Sequence, residues 1–399
     1  MITKAVKLED ITLNITDGTH STIKDDANGD CYLLSCKNIK NGKINIGESE
    51  RRINSDQLKL LKKRTRLGKN DVLLTTVGTI GEMSIVEDDA SYYDFQRSVG
   101  IIKPNPEVVD PVFLYYSLKN ELPQIHSLVK GAVQQCLFLG DIKTIQIDLP
   151  DLPTQNRIVS VLRLIDKRIR NNEWINENLL QQAIAIFDNA IQQSESITYA
   201  DLGAIADVKG GKRLPKGVNL ITEPNSHPYI RVRDLNNVVF ASLSADYEYV
   251  DDETQQSISR YITSTGDVLI SIVGTIGLTA IVDKSLDNAN LTENCVKVTN
   301  LDGITAEYLL LYLRSSAGVE AITKGTVGAV QLKLPIKNIQ AIPVPLLSKS
   351  EADSLNEVLR AIFTQISANV TESKLLAETR DALLPKLMSG ELDVSDLAL

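Results

Sequence analysis

Basic residues concentrate in two places. Between Arg51 and Lys69 the sequence carries Arg51, Arg52, Lys59, Lys62, Lys63, Arg64, Arg66 and Lys69 against Asp56 alone, a local charge of +7. Further on, Lys209-Gly210-Gly211-Lys212-Arg213, then Lys216, Arg231 and Arg233, set cations around paired glycines. Guanidinium and ammonium groups pair with phosphate, and glycine lets backbone amides approach an anion closely. A solvated helix or loop face produces the same local charge, so the two runs alone leave both readings open.

The side chains that catalysis requires are not arranged for it. His20, His126 and His227 lie far apart, without metal-ligand spacing. Cys31, Cys36, Cys136 and Cys295 contain no Cys-x-x-Cys pair, which argues against a zinc site or disulfide frame and for a reducing cytoplasm. There is no Gly-x-Ser-x-Gly elbow and no dinucleotide fingerprint after a strand. Gly78-Thr79-Ile80-Gly81 and Gly274-Thr275-Ile276-Gly277 read as tight turns after strands; no Gly-Lys-Ser/Thr follows, so neither is a phosphate loop. Asp110-Pro111-Val112-Phe113 resembles the amino-methyltransferase motif but lacks its second proline and any glycine-rich methyl-donor loop. Glu372-Ser373-Lys374 has no upstream Pro-Asp partner to make half a nuclease motif whole.

The elements that position these residues follow from length and pattern. A chain of 399 residues, 43% hydrophobic and 23% charged, predicts two to four soluble globular domains. No apolar run approaches the ~18 residues of a membrane helix. Met1 to Asp17 has no apolar core of signal-peptide type, the expectation being a protein that is not exported. An internal repeat then sets the architecture. Asp71 to Val86 and Asp267 to Val282 share ten of sixteen residues at an offset of 196. Gly131-Ala132-Val133-Gln134 recurs as Gly328-Ala329-Val330-Gln331, and Leu34 to Ile39 recurs in pattern as Ile230 to Leu235. Short β-type runs and short helices, such as Val112 to Leu118 and Leu309 to Leu313, predict an α+β unit in each half.

Long helices follow each unit. The first begins near Thr154, a plausible N-cap, and carries the seam Ile158, Leu162, Ile165, Ile169, Asn172, Asn176, Leu179, Ala183, Ile186, Ala190. The 4,3 spacing is a coiled-coil seam. Adding 197 gives Leu355, Leu359, Ile362, Ile366, Asn369, Ser373, Leu376, Arg380, Leu383, Leu387, with its polar break in the same register. Each seam spans roughly 48 Å at 1.5 Å per residue, so the two are expected to bury against each other. An antiparallel pairing brings Asn172 to Ser373 and Asn176 to Asn369, polar contacts that set register. The fold class expected is therefore α+β: two similar α/β domains joined by two long helices in an antiparallel coiled coil, a pseudo-two-fold internal repeat. Its boundaries are 1–150, 151–197, 198–345 and 346–399.

The chain resembles the specificity subunit of type I restriction-modification systems over essentially its full length. The resemblance lies in the order of domain, proline-entered helix, domain, proline-entered helix. Local phrases carry it too: Asp17-Gly18-Thr19-His20 with Lys37-Asn38-Ile39, the repeated Asp-Val-Leu…Gly-Thr-Ile-Gly, Leu149-Pro150-Asp151-Leu152-Pro153-Thr154-Gln155-Asn156-Arg157-Ile158, and Leu383-Leu384-Pro385-Lys386-Leu387-Met388-Ser389-Gly390-Glu391-Leu392. Pro343 to Glu351, before the second helix, departs from the family in lacking Gln-x-x-Ile. The resemblance implies a non-catalytic subunit whose two domains each read half of an asymmetric, bipartite double-stranded DNA site. It implies helices that set the gap and dock two methyltransferase subunits, with restriction/translocase subunits joining. S-adenosylmethionine, ATP and magnesium would belong to those partners.

Bidentate base contacts come from Arg, Lys, Asn and Gln, and phosphate contacts supply affinity. The candidate readers are Lys37, Asn38, Gln96 and Arg97, with Arg233, Asp234, Glu293 and Asn294 as their repeat counterparts. Thr79 and Thr275 occupy the glycine turns, and Gln134, Gln135 and Gln331 the loops returning to the helices. Lys62, Lys63, Arg64, Lys212, Arg213 and Arg231 supply positive charge. A stand-alone methyltransferase or nuclease and a coiled-coil scaffold with protein-binding domains are the competing classes. The net charge of −9 does not exclude DNA, because −5 of it falls in 151–197 and 346–399. Partners are expected to supply much of the electrostatic grip.

Overall fold

The computed structural model describes residues 3–131, 135–244, 246–329 and 331–394. The chain forms two compact units, Met1–Ile169 with Lys374–Leu399, and Arg170–Ser373. Each contains an α+β body and one half of each long helix.

In the first unit the central sheet is antiparallel, in the order Thr12–Asp17, Val99–Pro104, Val72–Thr75, Met83–Ile85. Val72 to Thr75 is buried on both faces, hence the apolar run Val72 to Leu74. One face receives Pro111–Asn120, where Asp110 Oδ1 accepts from the Val112 and Phe113 amides and proline occupies the first turn. A second, three-stranded sheet holds Cys31–Leu34 between Arg52–Ile53 and Tyr93–Phe95. Lys4–Lys7 pairs with Gln146–Leu149, just before the first long helix.

The second unit repeats the plan. Asp207–Gly210, Cys295–Thr299, Val268–Ser271 and Thr279–Val282 run in the same antiparallel order, with Phe240–Ala241 added in parallel at the edge. Ala306–Arg314 stands where Pro111–Asn120 stands in the first unit, and Thr198–Asp201 pairs with Pro343–Leu346. Asp71 with Lys103 (2.5 Å) and Asp267 with Lys297 (3.1 Å) link the residue before a central strand to the neighbouring strand by an ion pair in both units.

The long helices are Leu152–Gln193 and Lys349–Ser389, packed together and running antiparallel. Asp151 rather than Thr154 caps the first: its Oδ1 accepts from the Thr154 amide at 3.0 Å. A helix three residues longer at this end leaves Thr154 inside the first turn. In the first unit Ile158, Val159 and Leu162 share a core with Leu384, Leu387 and Met388. In the second unit Ala183 and Phe187 do so with Leu355, Leu359 and Phe363. The seam slips by one residue near the end of each helix. Ile186 is 37% exposed while Phe187 is buried, and Leu384 is buried in place of the more exposed Leu383. A straight helix of 3.6 residues per turn drifts from a 3.5 repeat, and here the helix packs on its own domain as well as its partner helix. The second helix continues through Pro385 to Ser389. No helix among the described residues is long and apolar enough to cross a membrane.

Candidate nucleic-acid interface

In each unit, loops converge at one end of the central sheet and are tied there by backbone hydrogen bonds. In the first, Gly18 N donates to Val99 O (3.1 Å), Thr19 N to Phe95 O (2.8 Å) and Gln96 N to Leu34 O (2.8 Å). In the second, Gly211 N donates to Cys295 O (3.0 Å), Lys212 N to Leu291 O (2.8 Å) and Thr292 N to Ile230 O (3.1 Å). A Cβ on Gly18 would collide with the Phe95 and Gln96 carbonyl oxygens, and one on Gly211 with those of Leu291 and Thr292. Glycine is needed here for close approach of two backbones.

The glycine turns join the same end. Gly78 and Gly81, and Gly274 and Gly277, all take positive φ, between 78° and 98°. A hydroxyl closes each turn. Thr75 Oγ1 donates to the Thr79 carbonyl and accepts from Glu82 N (2.9 Å), and Ser271 Oγ donates to the Thr275 carbonyl (2.6 Å) and accepts from Leu278 N (2.9 Å). Thr79 and Thr275 are thereby held exposed at the tips. The loops before the helices are anchored alike: Leu137 N donates to Thr76 O and Leu334 N to Ile272 O, both at 2.9 Å. Gln135 and Gln331 are exposed in those loops, and Gln134 lies outside the described residues.

The hydrogen bonds also correct one pairing of counterparts. Gln96 corresponds to Thr292 and Arg97 to Glu293, an offset of 196, whereas the expected counterparts, Glu293 and Asn294, lie one residue later. Val99 N bonds Gln96 O as Cys295 N bonds Thr292 O, and Thr76 N bonds Ser98 O as Ile272 N bonds Asn294 O. Thr19 and His20 thus stand where Lys212 and Arg213 do.

The candidate side chains sort by environment. Arg97 and Lys63 are exposed, and Gln96 is half-buried. Lys37 is mostly exposed and pairs with Glu50 at 3.0 Å. Burial pulls the Glu50 carboxyl upward, but hydrogen bonds from Lys37 and Asn38 outweigh it and hold the group below its ordinary range. Asn38 is buried and braces a turn: its Oδ1 accepts from Ser35 N and its Nδ2 donates to Asn45 O, both at 2.9 Å. Asp234 braces the equivalent turn, accepting from Arg231 N at 2.7 Å, and burial raises its pKa. Lys62 donates to the Ala90 carbonyl, and Arg64 holds the Asp17 carboxylate and the Gly18 carbonyl, so both serve the domain itself. His20 Nε2 lies 2.6 Å from the same carboxylate.

In the second unit Arg231 and Arg233 share Glu248, and Arg233 also reaches the Asp246 carbonyl at 3.2 Å. Lys212 stands over the Tyr261 ring at 5.5 Å. Arg213 Nε pairs with Glu293 Oε1 at 2.7 Å. Asn294 is half-buried beside them, its carbonyl accepting from Ile272 N.

Within the second unit one segment of the helix seam is polar. Asn172 Nδ2 donates to Ser373 Oγ (3.2 Å) and Glu372 Oε2 (2.8 Å), and Asn369 Nδ2 donates to Asn176 Oδ1 (2.8 Å). Gln365 Nε2 completes the group on Asn369 Oδ1. In the first unit Arg380 binds Asp166 at 2.8 Å, and the Tyr116 hydroxyl donates to the same carboxylate.

Sequence reading missed the glycine cradle, the closing hydroxyls and the Asp166–Arg380 pair. Thr75 and Ser271 had a signal, a hydroxyl kept at the repeat offset of 196. Gly18 and Gly211 had little, because their offset of 193 is set by loops of unequal length. Among the described residues no group of His, Cys, Asp and Glu could hold a metal ion.

Comparison with known proteins agrees over the full length. The model of the type I restriction modification DNA specificity domain matches twice, at residues 5–181 and 195–377. The chain is 22% identical to the type I restriction enzyme HindI specificity subunit of Haemophilus influenzae, over 81% of this chain and 87% of that protein. It is 24% identical to the MjaIX specificity subunit of Methanocaldococcus jannaschii, over 98% of this chain and 94% of that protein. The crystal structure of the type I restriction-modification S subunit from M. genitalium shares the fold, with a TM-score of 0.52 and 17% identity over 97% of this chain and 96% of that one. Two matches of one domain model, on two units with the same sheet order and the same loop cradle, lead to one conclusion. The chain belongs to the type I restriction-modification DNA specificity family and is a non-catalytic specificity subunit with two target-recognition domains.

Proposed function

We propose that each unit reads one half of an asymmetric, bipartite site on double-stranded DNA. The observation that carries this is the repeated loop cradle, which has the same backbone in both units and different side chains at its tips. Two similar readers with unlike tips suit a site of two unlike halves. The contact set proposed is Lys37, Lys63, Thr79, Gln96, Arg97 and Gln135 in the first unit and Lys212, Arg213, Arg233, Thr275, Glu293 and Gln331 in the second. Asn38, Lys62, Arg64 and Asp234 act behind them, by holding loops and helices in place. Segments 1–150 and 198–345 serve as the readers. Segments 151–197 and 346–399 serve as the spacer and as the dock for two methyltransferase subunits, with restriction/translocase subunits joining that core. For both readers to face one side of the duplex, half-site centres lie about one helical turn apart, roughly 34–36 Å, or a multiple of it.

S-adenosylmethionine, ATP and magnesium act on the partner subunits, and the assembly works in the cytoplasm. This chain's own contribution is positioning: phosphate contacts set register, and base-edge contacts select the sequence. The test is base-resolved mapping of methylated DNA from cells carrying the complex, with wild-type chain and with Arg97→Ala. The expected result is a bipartite motif in which the substitution changes one half only. A change in both halves, or methylation without a bipartite motif, refutes the assignment.

A further inference from the structure

We propose that Arg213 and Glu293 form a base-reading pair that selects a G·C base pair in the half-site of the second unit; this rests on the function proposed above. Arg213 sits one residue past the Gly211-Lys212 step, and Glu293 one residue past Thr292, so both follow positions fixed by backbone hydrogen bonds. The contact that aligns them, Nε to Oε1 at 2.7 Å, leaves the Arg213 side chain 80% exposed. A surface pair of this kind adds little to folding stability, so stability does not account for its place at the tip.

The chemistry of the pair matches one edge. An arginine fork needs two adjacent acceptors, which guanine presents as O6 and N7, and a carboxylate accepts from the cytosine N4 amino group. A G·C pair sets these groups side by side in the major groove, as Arg213 and Glu293 set a donor fork beside an acceptor. Adenine places a donor next to its N7 and disrupts the fork. A phosphate contact explains the pair poorly, because Glu293 neutralises the cation and its carboxylate repels phosphate. The Glu293 group remains ionised: partial burial pulls its pKa up, but the Arg213 hydrogen bond and neighbouring donors outweigh burial and hold it below its ordinary range. On the same backbone the first unit offers His20, turned onto Asp17, and an exposed Arg97, a different donor pattern.

The test uses the full chain assembled with its methyltransferase subunits and maps methylated sites base by base. Arg213→Ala is expected to relax one position of one half-site, lowering the preference for G·C there by about 10- to 100-fold, with the other half intact. Arg213→Gln replaces the two-donor fork with one donor and one acceptor, the pattern that suits adenine, and is expected to shift the same position away from G·C. An unchanged motif with Arg213→Gln overturns the proposal, as does relaxation at a position occupied by A·T. A uniform fall in methylation with the motif intact also overturns it, since that is the signature of a phosphate contact. Should the alanine variant fail to assemble, Arg213→Gln and Glu293→Gln decide by the same criterion. A wild-type complex that methylates without a bipartite motif removes the underlying function instead, a result separable from any change confined to one position.

Discussion

Where the first unit holds Thr19, His20 and Arg97 at the end of its sheet, the second holds Lys212, Arg213 and Glu293 on the same hydrogen-bonded backbone. The helices differ in the same manner. The first unit pairs Asp166 with Arg380, and at the equivalent repeat positions the second buries Phe363 and Ala183 in an apolar cluster. The elements that stay alike are those that build backbone: positive-φ glycines, closing hydroxyls, and the ion pairs Asp71–Lys103 and Asp267–Lys297. The elements that diverge are side chains whose backbone is already held by other bonds. Duplication thus yields two readers with a common frame and separate chemistry.

The largest expected effect tests the helix contrast. Arg380→Ala leaves the half-buried Asp166 carboxylate without its charge partner and is expected to cost about 2–4 kcal/mol in denaturant unfolding. The double variant Asp166→Phe with Arg380→Ala copies the apolar contact of the second unit and is expected to restore more than half of the loss. A double variant as unstable as the single one breaks the comparison.

Gly18→Ala and Gly211→Ala test the common frame. Each forces two backbones apart and is expected to cost about 1–3 kcal/mol. Each should also degrade only its own half of the DNA motif. Equal costs in the two units sharpen the equivalence, and a penalty in one unit only refutes it.

Asn369→Ala removes the donor to Asn176 and the acceptor for Gln365, an expected loss of about 1 kcal/mol. The coiled coil should stay paired, as read by helicity and by an unchanged motif spacing. A shift in half-site spacing would show that this single amide controls the register.

Lys63→Glu separates phosphate grip from base choice. DNA binding by the complex is expected to weaken uniformly, with the slope of log affinity against log salt shallower by about 0.9 per lost phosphate contact. The motif should not change. Lys62 and Arg64 are poorer probes, since reversing them would break contacts within their own domain. Loss of assembly with DNA binding retained would favour a scaffold role for this surface.

The smallest effect concerns pH. The folded pKa of Glu293 lies below its ordinary value, so its contribution is fully present above the unfolded carboxylate pKa. It is lost as pH falls through the depressed folded value. With Arg213 so exposed, screening holds this to under about 1 kcal/mol. Stability of Glu293→Gln and of the native chain, compared from pH 6 down to pH 3, should converge as the pH drops; a gap that widens with acid contradicts the sign.

The legible parts of the molecule were those governed by local pattern. The identity of Asp71 to Val86 with Asp267 to Val282 marked matching strand-turn-strand units, and both appear, with glycine at the positive-φ positions. The apolar stripe marked both long helices because a side chain's face follows from its number along a regular helix. The same reasoning failed at Ile186 and Leu383, where the coiled-coil period gave way to packing on the domain. Asn38 read as a base contact on residue type alone, and the fold turned it inward to close a turn.

By itself, then, the sequence determined the duplication, written as identity at a constant offset, and the alternation of domain and helix and the polar interruption of both seams, written in spacing between near neighbours. Tertiary structure alone decided which loops meet, and that Gly18 answers to Gly211 and Thr19 to Lys212 across unequal loop lengths. Those matches rest on hydrogen bonds between residues some sixty to eighty positions apart, such as Thr19 to Phe95 and Lys212 to Leu291. No local period encodes a bond of that reach, because it forms only when separate strands are already in register.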